Sequence, residues 1–313
     1  SKIILIVMKI FISNLNESWI IDRMKEEFSN FNPKIVTDNI KNSDIIWIIA
    51  PWMWKKIPKK YLKAKTVVCS IHHLEEKDFK GSALKDFYSR DKYVNYYHTI
   101  SNKSKEEIRK LTPKKIVSIP FWINENIFFS LQDKSNLRSK YNLPKESLII
   151  GSFQRDTEGK DLKSPKLIKG PDQFVEIVKS FSKRNKNLLV LLAGYRRQYL
   201  IKKLEEENID YKYIELVDFE ILNELYNCLD LYVVSSRVEG GPQAILECGI
   251  TKTPLISTDV GIATEILSSE SIFNMDNFEQ AKPNIQVAYD NSIKYSLEDG
   301  MKKYQNMFED IFK

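Results

Sequence analysis

Short apolar runs alternate with amphipathic segments over the first 128 residues. Four runs have the length and composition of strands: residues 9–13, 45–50, 66–71 and 116–119. Helical periodicity lies between them, at residues 19–28 and 103–111. Continuous apolar strands separated by helices are typical of a parallel sheet covered on both faces. The pattern predicts a first α/β domain over residues 1–128.

The alternation stops and then begins again. Residues 129–145 are polar and carry no strand pattern, which predicts a linker. Strand runs then recur at residues 148–151, 188–193, 211–215 and 231–235, with helical segments at 171–184, 199–207 and 220–228. These elements predict a second α/β domain over residues 146–291. The helical, aromatic pattern of residues 292–313 predicts a final helix. The expected fold class is α/β, with two doubly wound, Rossmann-like domains facing each other across a cleft at the carboxyl ends of their strands.

Composition narrows the class of protein. A chain of 313 residues suits two domains, and 42% hydrophobic with 29% charged residues is typical of a globular protein and not of a disordered one. No apolar run approaches the roughly 20 residues that span a bilayer. The first apolar stretch lacks a signal-peptide cleavage pattern, and Met8-Lys9 resembles a natural start, so residues 1–7 are predicted to be an extension. The cysteines show no metal or disulfide spacing, which predicts buried thiols in a cytoplasmic protein.

The positive charge is concentrated in the first domain. Of 48 basic and 42 acidic residues, 23 and 14 lie in residues 1–128, so that this region carries +9 and the remainder −3. Such an excess attracts anionic partners. No nucleic-acid-binding motif accompanies it, so a nucleic-acid partner is not expected.

Residues 51–65 mix tryptophans with lysines. Tryptophan suits the interface of a bilayer and lysines attract anionic lipid, which predicts a peripheral contact with an anionic membrane. The alternative is a solvated lysine face whose tryptophans line the cleft for an acceptor.

The most informative stretch is residues 231–247. A strand-like run ends at Ser235, a short loop carries Glu239 and two glycines, and Pro242 stands where the first residue of a helix is expected. The amides of a first helical turn form an anion site, and Glu247 lies about 8 Å further along the helix axis. An elongated ligand with a central diphosphate and a sugar at each end fits this layout. The alternative is an acidic helix start favoured by the helix dipole, with Glu247 solvated.

The segment Glu239-Gly-Gly-Pro-Gln-Ala-Ile-Leu-Glu247 resembles the signature of the retaining glycosyltransferases of family 4, which have the GT-B fold. The resemblance implies transfer of a sugar from a nucleotide-diphosphate donor to a sugar or lipid-linked acceptor. Glu239 would hold the donor sugar and Glu247 the ribose, with the donor loop formed by Gly240, Gly241, Pro242 and Gln243. The resemblance implies no metal and no cofactor besides the donor, and a cytoplasmic role in surface polysaccharide or glycolipid assembly, with attachment to the inner membrane face as an option.

A second pair of segments resembles the family's diphosphate loop. Gly151-Ser-Phe-Gln-Arg155 follows a strand, and Lys169-Gly170-Pro171 precedes the next helix. The resemblance assigns Gly151, Arg155 and Lys169 to the diphosphate, where cations stabilise the leaving nucleotide. Arg155 stands four residues after the glycine instead of beside it. The loop is also long, and its lysines at 160, 163 and 166 compete with Lys169 for the second role.

A histidine completes the predicted catalytic set of Glu239, His72, Arg155 and Lys169. In similar enzymes a histidine after the third strand projects toward the anomeric carbon. His72 directly follows that strand and is preferred to His73, although a packed or surface histidine is the alternative. Gly261 resembles a glycine in the family's last loop that approaches the donor. The resemblance to the GT-B fold also implies that the final helix, residues 292–313, crosses back onto the N-terminal domain.

Two other functions fit parts of the same pattern. Nucleotide-sugar epimerases of GT-B type also bind a diphosphate between two such domains. A non-catalytic carbohydrate or nucleic-acid binder would use the basic first half, but it would not need the paired glutamates.

Overall fold

The structure is a computed structural model that describes residues 7–13 and 19–313. Of the predicted N-terminal extension, residues 1–6 lie outside the described residues. The described chain divides into two compact units. Unit 1 is formed by the described residues up to Phe121 together with Glu298–Lys313. Unit 2 is Trp122–Leu297.

Unit 1 contains a five-stranded parallel sheet in the order β1-β2-β3-β4-β5. Its strands are β1 Ile10–Ile12, β2 Ile45–Ile48, β3 Thr66–Ile71, β4 Tyr96–Thr99 and β5 Ile116–Ser118. Its first four helices are α1 Trp19–Phe31, α2 Lys59–Ala64, α3 Gly81–Asp91 and α4 Asn102–Arg109. Val36 forms a parallel bridge with β1. Every residue of β2 is buried, as a strand covered on both faces requires.

Unit 2 contains a six-stranded parallel sheet in the order β10-β9-β6-β11-β12-β13 and a separate hairpin, β7-β8. Its strands are β6 Leu148–Ser152, β7 Thr157–Glu158, β8 Ser164–Pro165, β9 Leu188–Ala193, β10 Tyr211–Ile214, β11 Leu231–Val234, β12 Leu255–Thr258 and β13 Ile272–Phe273. Its helices are α5 Lys134–Lys140, α6 Pro171–Arg184, α7 Gln198–Glu206, α8 Phe219–Cys228, α9 Gln243–Thr251, α10 Ala263–Ile266 and α11 Ile285–Ser292.

Side-chain alternation divides the core of unit 2 into two layers. Ile150, Val190 and Val233 pack in one cluster with residues of α6 and α7. Their neighbours Ile149, Leu191 and Tyr232 pack in the other cluster with residues of α8 and α9. Successive strand residues face opposite sides of a sheet, so helices cover both faces, as the apolar strands predict.

Residues 129–145, which we expected to be a linker, lie within unit 2. Asp133 caps α5, and the buried Arg138 donates to the carbonyl of Cys228 and, at 2.6 Å, to Asp230 Oδ2. The segment is therefore attached to the unit by charged and polar bonds in addition to one buried leucine. Hydrophobic periodicity does not report such bonds, which explains why the sequence suggested a linker.

The last helix, α12 Leu297–Phe312, belongs to unit 1 from its second residue onward and begins five residues later than the predicted final segment. Its Phe308 ring lies 5.1 Å from the ring of Trp47 in β2, which also contacts Phe28 of α1 at 5.1 Å. The helix thus completes the core on that face of the sheet. The three cysteines, Cys69, Cys228 and Cys248, are free thiols and buried.

Candidate active site

The candidate site of unit 2 lies where the winding of its sheet reverses. β6 and β11 are neighbours, but the chain continues from β6 toward β9 on one side and from β11 toward β12 on the other. In open α/β sheets, ligands bind beyond the carboxyl ends of the strands at such a switch point. The loops that follow β6 and β11 carry most of the predicted site residues.

These two loops are joined through their backbones. The amides of Arg237 and Val238 donate to the carbonyl of Ile168 at 2.8 and 3.2 Å. Gly170 adopts a positive φ of 61°, and a Cβ there would lie 1.8 Å from the carbonyl oxygen of Ser235. Only glycine allows this approach. The loops therefore hold a fixed spacing.

Glu239 and Lys169 meet directly. Lys169 Nζ lies 2.5 Å from Glu239 Oε1, and the Ser236 hydroxyl donates to the same oxygen at 2.9 Å. The side chains are 23% and 8% exposed, so the charges are largely withdrawn from water. We predicted the two residues as separate ligands of a diphosphate and a sugar. The structure places them in contact with each other, and their roles as ligands stay predictions.

Further cations lie beside this pair. Burial, followed by the charges of Lys169 and Arg155, lowers the pKa of Lys166. The Arg155 side chain is exposed, and its Nε donates to the Thr157 carbonyl at 3.1 Å. Mutual repulsion among cations is relieved by an anion, so this arrangement is suited to a ligand with more than one negative charge. Of the three lysines that the sequence offers as alternatives to Lys169, Lys166 is the one beside Lys169 and Arg155.

A buried ion pair that we did not predict supports the loop after β6. Arg197 is completely buried, and its Nε lies 2.6 Å from Asp156 Oδ2. The guanidinium also donates to the carbonyls of Ser152 and Ala193 at 2.6 and 2.7 Å. This network fixes the start of the hairpin that follows Arg155. The only signal in the sequence was two adjacent arginines after the strand at 188–193, and no spacing pairs either of them with Asp156.

Glu247 lies in the middle of α9 and is 7% exposed. The Tyr226 hydroxyl of α8 donates to Glu247 Oε2 at 2.6 Å. Burial, followed by the negative charge of Glu247, raises the pKa of Tyr226 well above its usual value. The carboxylate is therefore held by a neutral donor, in contrast to Glu239. The solvated position that was the alternative for Glu247 is wrong.

The start of α9 differs slightly from the prediction. Pro242 has ψ of 114° and caps the helix, so the first helical residue is Gln243, which is buried. The loop after β12 packs on this turn, because a Cβ at Gly261 would lie 2.3 Å from the Gly240 carbonyl oxygen and 3.0 Å from Pro242. Gly240 is buried and Gly241 partly buried beside it. The roles of these residues in donor binding stay predictions.

Gly151 lies inside β6 and not in the loop beyond it. A Cβ at this position would meet the Leu229 side chain at 2.3 Å. The structure therefore gives this glycine a packing explanation, and its predicted contact with a diphosphate stays a prediction.

Comparison with known proteins identifies the family. The family model of the glycosyl transferases group 1 matches residues 133–310, more than half of the chain. This chain belongs to the group 1 glycosyl transferases. No curated protein matches it in sequence.

Solved structures similar to this glycosyl transferase establish its fold. HepE from Anabaena, in complex with UDP-glucose, has a TM-score of 0.76 and 10% identity, covering 97% of this chain and 100% of that one. Sucrose-phosphate synthase from Thermosynechococcus elongatus has a TM-score of 0.69 and 14% identity, covering 96% and 80%. A glycosyltransferase from Rickettsia africae has a TM-score of 0.66 and 18% identity, covering 96% and 84%. The predicted GT-B fold is confirmed.

In unit 1 of this glycosyl transferase, His72 directly follows β3. Its Nε2 lies 2.9 Å from the carbonyl oxygen of Ile49, so Nε2 carries the proton and Nδ1 is the acceptor of a neutral ring. Burial lowers the pKa of His72 to about 4. His73 Nε2 lies instead 3.5 Å from Glu75 Oε1. The two adjacent histidines are therefore held by different partners, and the catalytic assignment of His72 stays a prediction.

Residues 51–65 of this glycosyl transferase form a lysine-rich surface with one exposed tryptophan. Trp52 is 51% exposed, whereas Trp54 is buried and its Nε1 donates to Asp86 Oδ2 at 3.4 Å. The exposed lysines are Lys55, Lys56, Lys59, Lys60 and Lys63. Of the helices in residues 19–313, none is long and apolar enough to cross a membrane. In the part of the chain that the structure describes, no three His, Cys, Asp or Glu side chains come together as a metal site.

Proposed function

We propose that this glycosyl transferase moves a sugar from a nucleoside-diphosphate donor to an acceptor hydroxyl and retains the anomeric configuration. The observation that carries the proposal is the Lys169–Glu239 pair, with Lys166 and Arg155 beside it, at the switch point of unit 2. Cations suit a diphosphate and a carboxylate suits the hydroxyls of a sugar. HepE, with the same fold, is described in complexes with UDP and with UDP-glucose, so uridine nucleotides are the first candidates.

The proposed roles follow from charge. Arg155, Lys166 and Lys169 neutralise the diphosphate, and their charge exceeds that of Glu239 by about the amount a diphosphate carries. These cations make a metal ion unnecessary. Glu239 accepts hydrogen bonds from the donor sugar. Glu247 accepts them from the ribose.

The proposed reaction exchanges one bond at the anomeric carbon for another. The bond from that carbon to the diphosphate oxygen breaks, and the acceptor oxygen attacks from the face that the nucleotide leaves. The acceptor proton passes to the departing phosphate, whose growing charge the three cations stabilise. His72, neutral and with Nδ1 as acceptor, receives a hydrogen bond from a hydroxyl of the donor sugar or of the acceptor.

We further propose a cytoplasmic role in surface polysaccharide or glycolipid assembly, with a sugar or lipid-linked acceptor. The exposed Trp52 and the five lysines around it support contact with an anionic membrane. Flotation with anionic liposomes at low salt tests this contact. Loss of liposome binding in Trp52→Ala would support the contact, and a wild-type protein that does not float with the liposomes would contradict it.

Thermal unfolding with a panel of nucleoside diphosphates and nucleotide sugars tests donor binding, because a ligand of the native state raises apparent stability. We expect a shift that persists in a metal chelator, and no shift with any nucleotide would contradict the proposal. NMR of the product then gives the anomeric configuration. An epimerised donor, formed without acceptor, would instead establish the epimerase.

A further inference from the structure

We propose, on the basis of the nucleotide-binding function above, that Tyr226 is a positioning residue that orients the Glu247 carboxylate for the ribose. Tyr226 acts through Glu247 and not by touching the nucleotide. Selection of ribose over 2′-deoxyribose then depends on a hydroxyl in α8, outside the loops that surround the donor.

The hydrogen bond is short and buried. Tyr226 Oη lies 2.6 Å from Glu247 Oε2, within the range of roughly 2.5–2.7 Å for a hydroxyl that donates to a carboxylate. Tyr226 is 2% exposed and Glu247 7%. Little water competes for the bond, so it restricts the rotation of the carboxylate.

The direction of the bond is fixed. A carboxylate only accepts, and burial keeps the Tyr226 pKa far above the physiological range, so the phenol remains protonated. The donated hydrogen bond uses one oxygen of the carboxylate. A carboxylate offers about four acceptor positions, enough to serve this phenol and a vicinal diol together.

The tyrosine ring is itself held in place. It contacts the rings of Phe153 at 5.0 Å, Tyr232 at 5.5 Å and Phe128 at 6.2 Å. The backbone carbonyl of Tyr226 accepts from the Thr253 hydroxyl at 3.0 Å. Phe153 lies directly after β6, so the same aromatic cluster connects the loop after β6 with α8.

A matched pair of variants separates positioning from packing. Tyr226→Phe removes the hydroxyl and keeps the ring. Tyr232→Phe is the control, because this tyrosine lies in the same cluster but its hydroxyl accepts from the Phe153 amide at 3.2 Å. The probe is the nucleoside diphosphate with the largest thermal shift, paired with its 2′-deoxy analogue.

The readout is the ratio of the two dissociation constants, measured by calorimetry. We expect the wild type to prefer the ribonucleotide, Tyr226→Phe to reduce that preference roughly tenfold, and Tyr232→Phe to retain it. A merely structural role of Tyr226 would lower the Tm and weaken both ligands equally. An unchanged ratio in a folded Tyr226→Phe protein overturns the inference.

Glu247→Gln distinguishes the inference from the function on which it rests. If this variant keeps the full preference, Glu247 does not bind the ribose and that part of the proposed function fails. If the preference is lost in Glu247→Gln but kept in Tyr226→Phe, only the inference fails. Should Tyr226→Phe not fold, 3-fluorotyrosine placed at 226 keeps the ring and makes the hydroxyl a stronger donor. The preference should then increase, and an unchanged preference counts against the inference.

Discussion

The carboxyl ends of the two sheets carry opposite kinds of polar group. In unit 2 they carry charges, in the pairs Lys169–Glu239 and Arg197–Asp156. In unit 1 the buried groups there are two imidazoles, which are neutral because burial lowers the pKa of His72 to about 4 and of His98 to about 3. Charges suit a diphosphate, and neutral rings suit hydroxyl groups. The charged groups of unit 2 are the kind that the proposed diphosphate requires, and the neutral rings of unit 1 are the kind that the proposed hydroxyl requires.

Each kind of group is stable because its hydrogen bonds are satisfied. His98 Nδ1 lies 2.7 Å from the Ser70 hydroxyl, which accepts from Trp47 Nε1 at 2.8 Å. The serine proton therefore goes to Nδ1, and Nε2–H donates to the Ile119 carbonyl at 2.9 Å. A neutral ring meets all these requirements, whereas a second ring proton would face the serine. In unit 2 the pairs Lys169–Glu239 and Arg197–Asp156 instead join partners of opposite sign.

The largest expected effect is on stability, from breaking the buried charges of unit 2. Arg197→Met leaves Asp156 without its charged partner, which should lower the free energy of unfolding by about 3–5 kcal/mol. Urea unfolding followed by circular dichroism measures the change.

Arg184→Met is the matched control for that variant. Arg184 pairs with Glu279 at 2.7 Å, but the two side chains are 61% and 47% exposed. Exposed pairs contribute about 0–1 kcal/mol, so the loss should be small. Equal losses in the two variants would show that burial of the Arg197 pair is not what stabilises the hairpin.

Glu239→Gln should slow transfer by about 10- to 150-fold, because it removes a charge that accepts hydrogen bonds from the donor sugar. Glutamine keeps the size of the side chain and an acceptor for Ser236. The affinity for the nucleoside diphosphate alone should not fall, since Glu239 holds the sugar and its neutralisation leaves the charge of Lys169 to the diphosphate. Initial rates at saturating donor measure the loss of transfer rate, and calorimetry with the nucleoside diphosphate measures any loss of affinity. A variant whose affinity falls as far as its rate would assign Glu239 to the nucleotide.

Much of the fold was predictable, because buried parallel strands are continuous apolar runs. Strand β3 and helix α6 have the predicted boundaries, and β6 extends one residue further. Glu239 and Glu247 were recognisable because a short loop and one helix fix their spacing. These features depend on residues close together in the chain.

What the sequence did not reveal depends on residues far apart. Lys169 meets Glu239 across 70 positions, and Arg197 meets Asp156 across 41. Glu247 could be assigned as a ligand, but not its tyrosine partner in α8. Polar pairing of this kind has no period, so neither hydrophobic pattern nor motif spacing reports it.

Acid should weaken the fold through the neutral histidines of unit 1. A histidine with a lowered native pKa binds a proton more readily in the unfolded chain than in the folded one. Its contribution to the free energy of unfolding is therefore complete above about pH 6.5 and is lost as pH falls. Each should reduce the free energy of unfolding by up to about 1.4 kcal/mol per pH unit below that value. Urea titrations from pH 7.5 to 5 measure the slope. His98→Gln should make it shallower, and equal slopes in the wild type and this variant would refute the explanation.

The smallest expected effect sharpens the electrostatic side of the comparison. Burial and, after it, the neighbouring cations lower the pKa of Lys166, so a bound diphosphate should raise that pKa again. Binding at alkaline pH should therefore take up a fraction of a proton. Calorimetry in buffers of different ionisation enthalpy measures this uptake. In Lys166→Met the uptake should disappear, with binding a few-fold weaker.

Lys160→Met is the control, because Lys160 is an exposed lysine between β7 and β8. Removing it changes the net charge equally, so any general electrostatic effect is the same in both variants. Uptake that persists in Lys166→Met would place the diphosphate away from this lysine. If Lys166 itself holds the diphosphate, proton uptake in Lys160→Met should equal that of the wild type. Loss of uptake in both variants would instead indicate that the diphosphate responds to the charge of the whole hairpin.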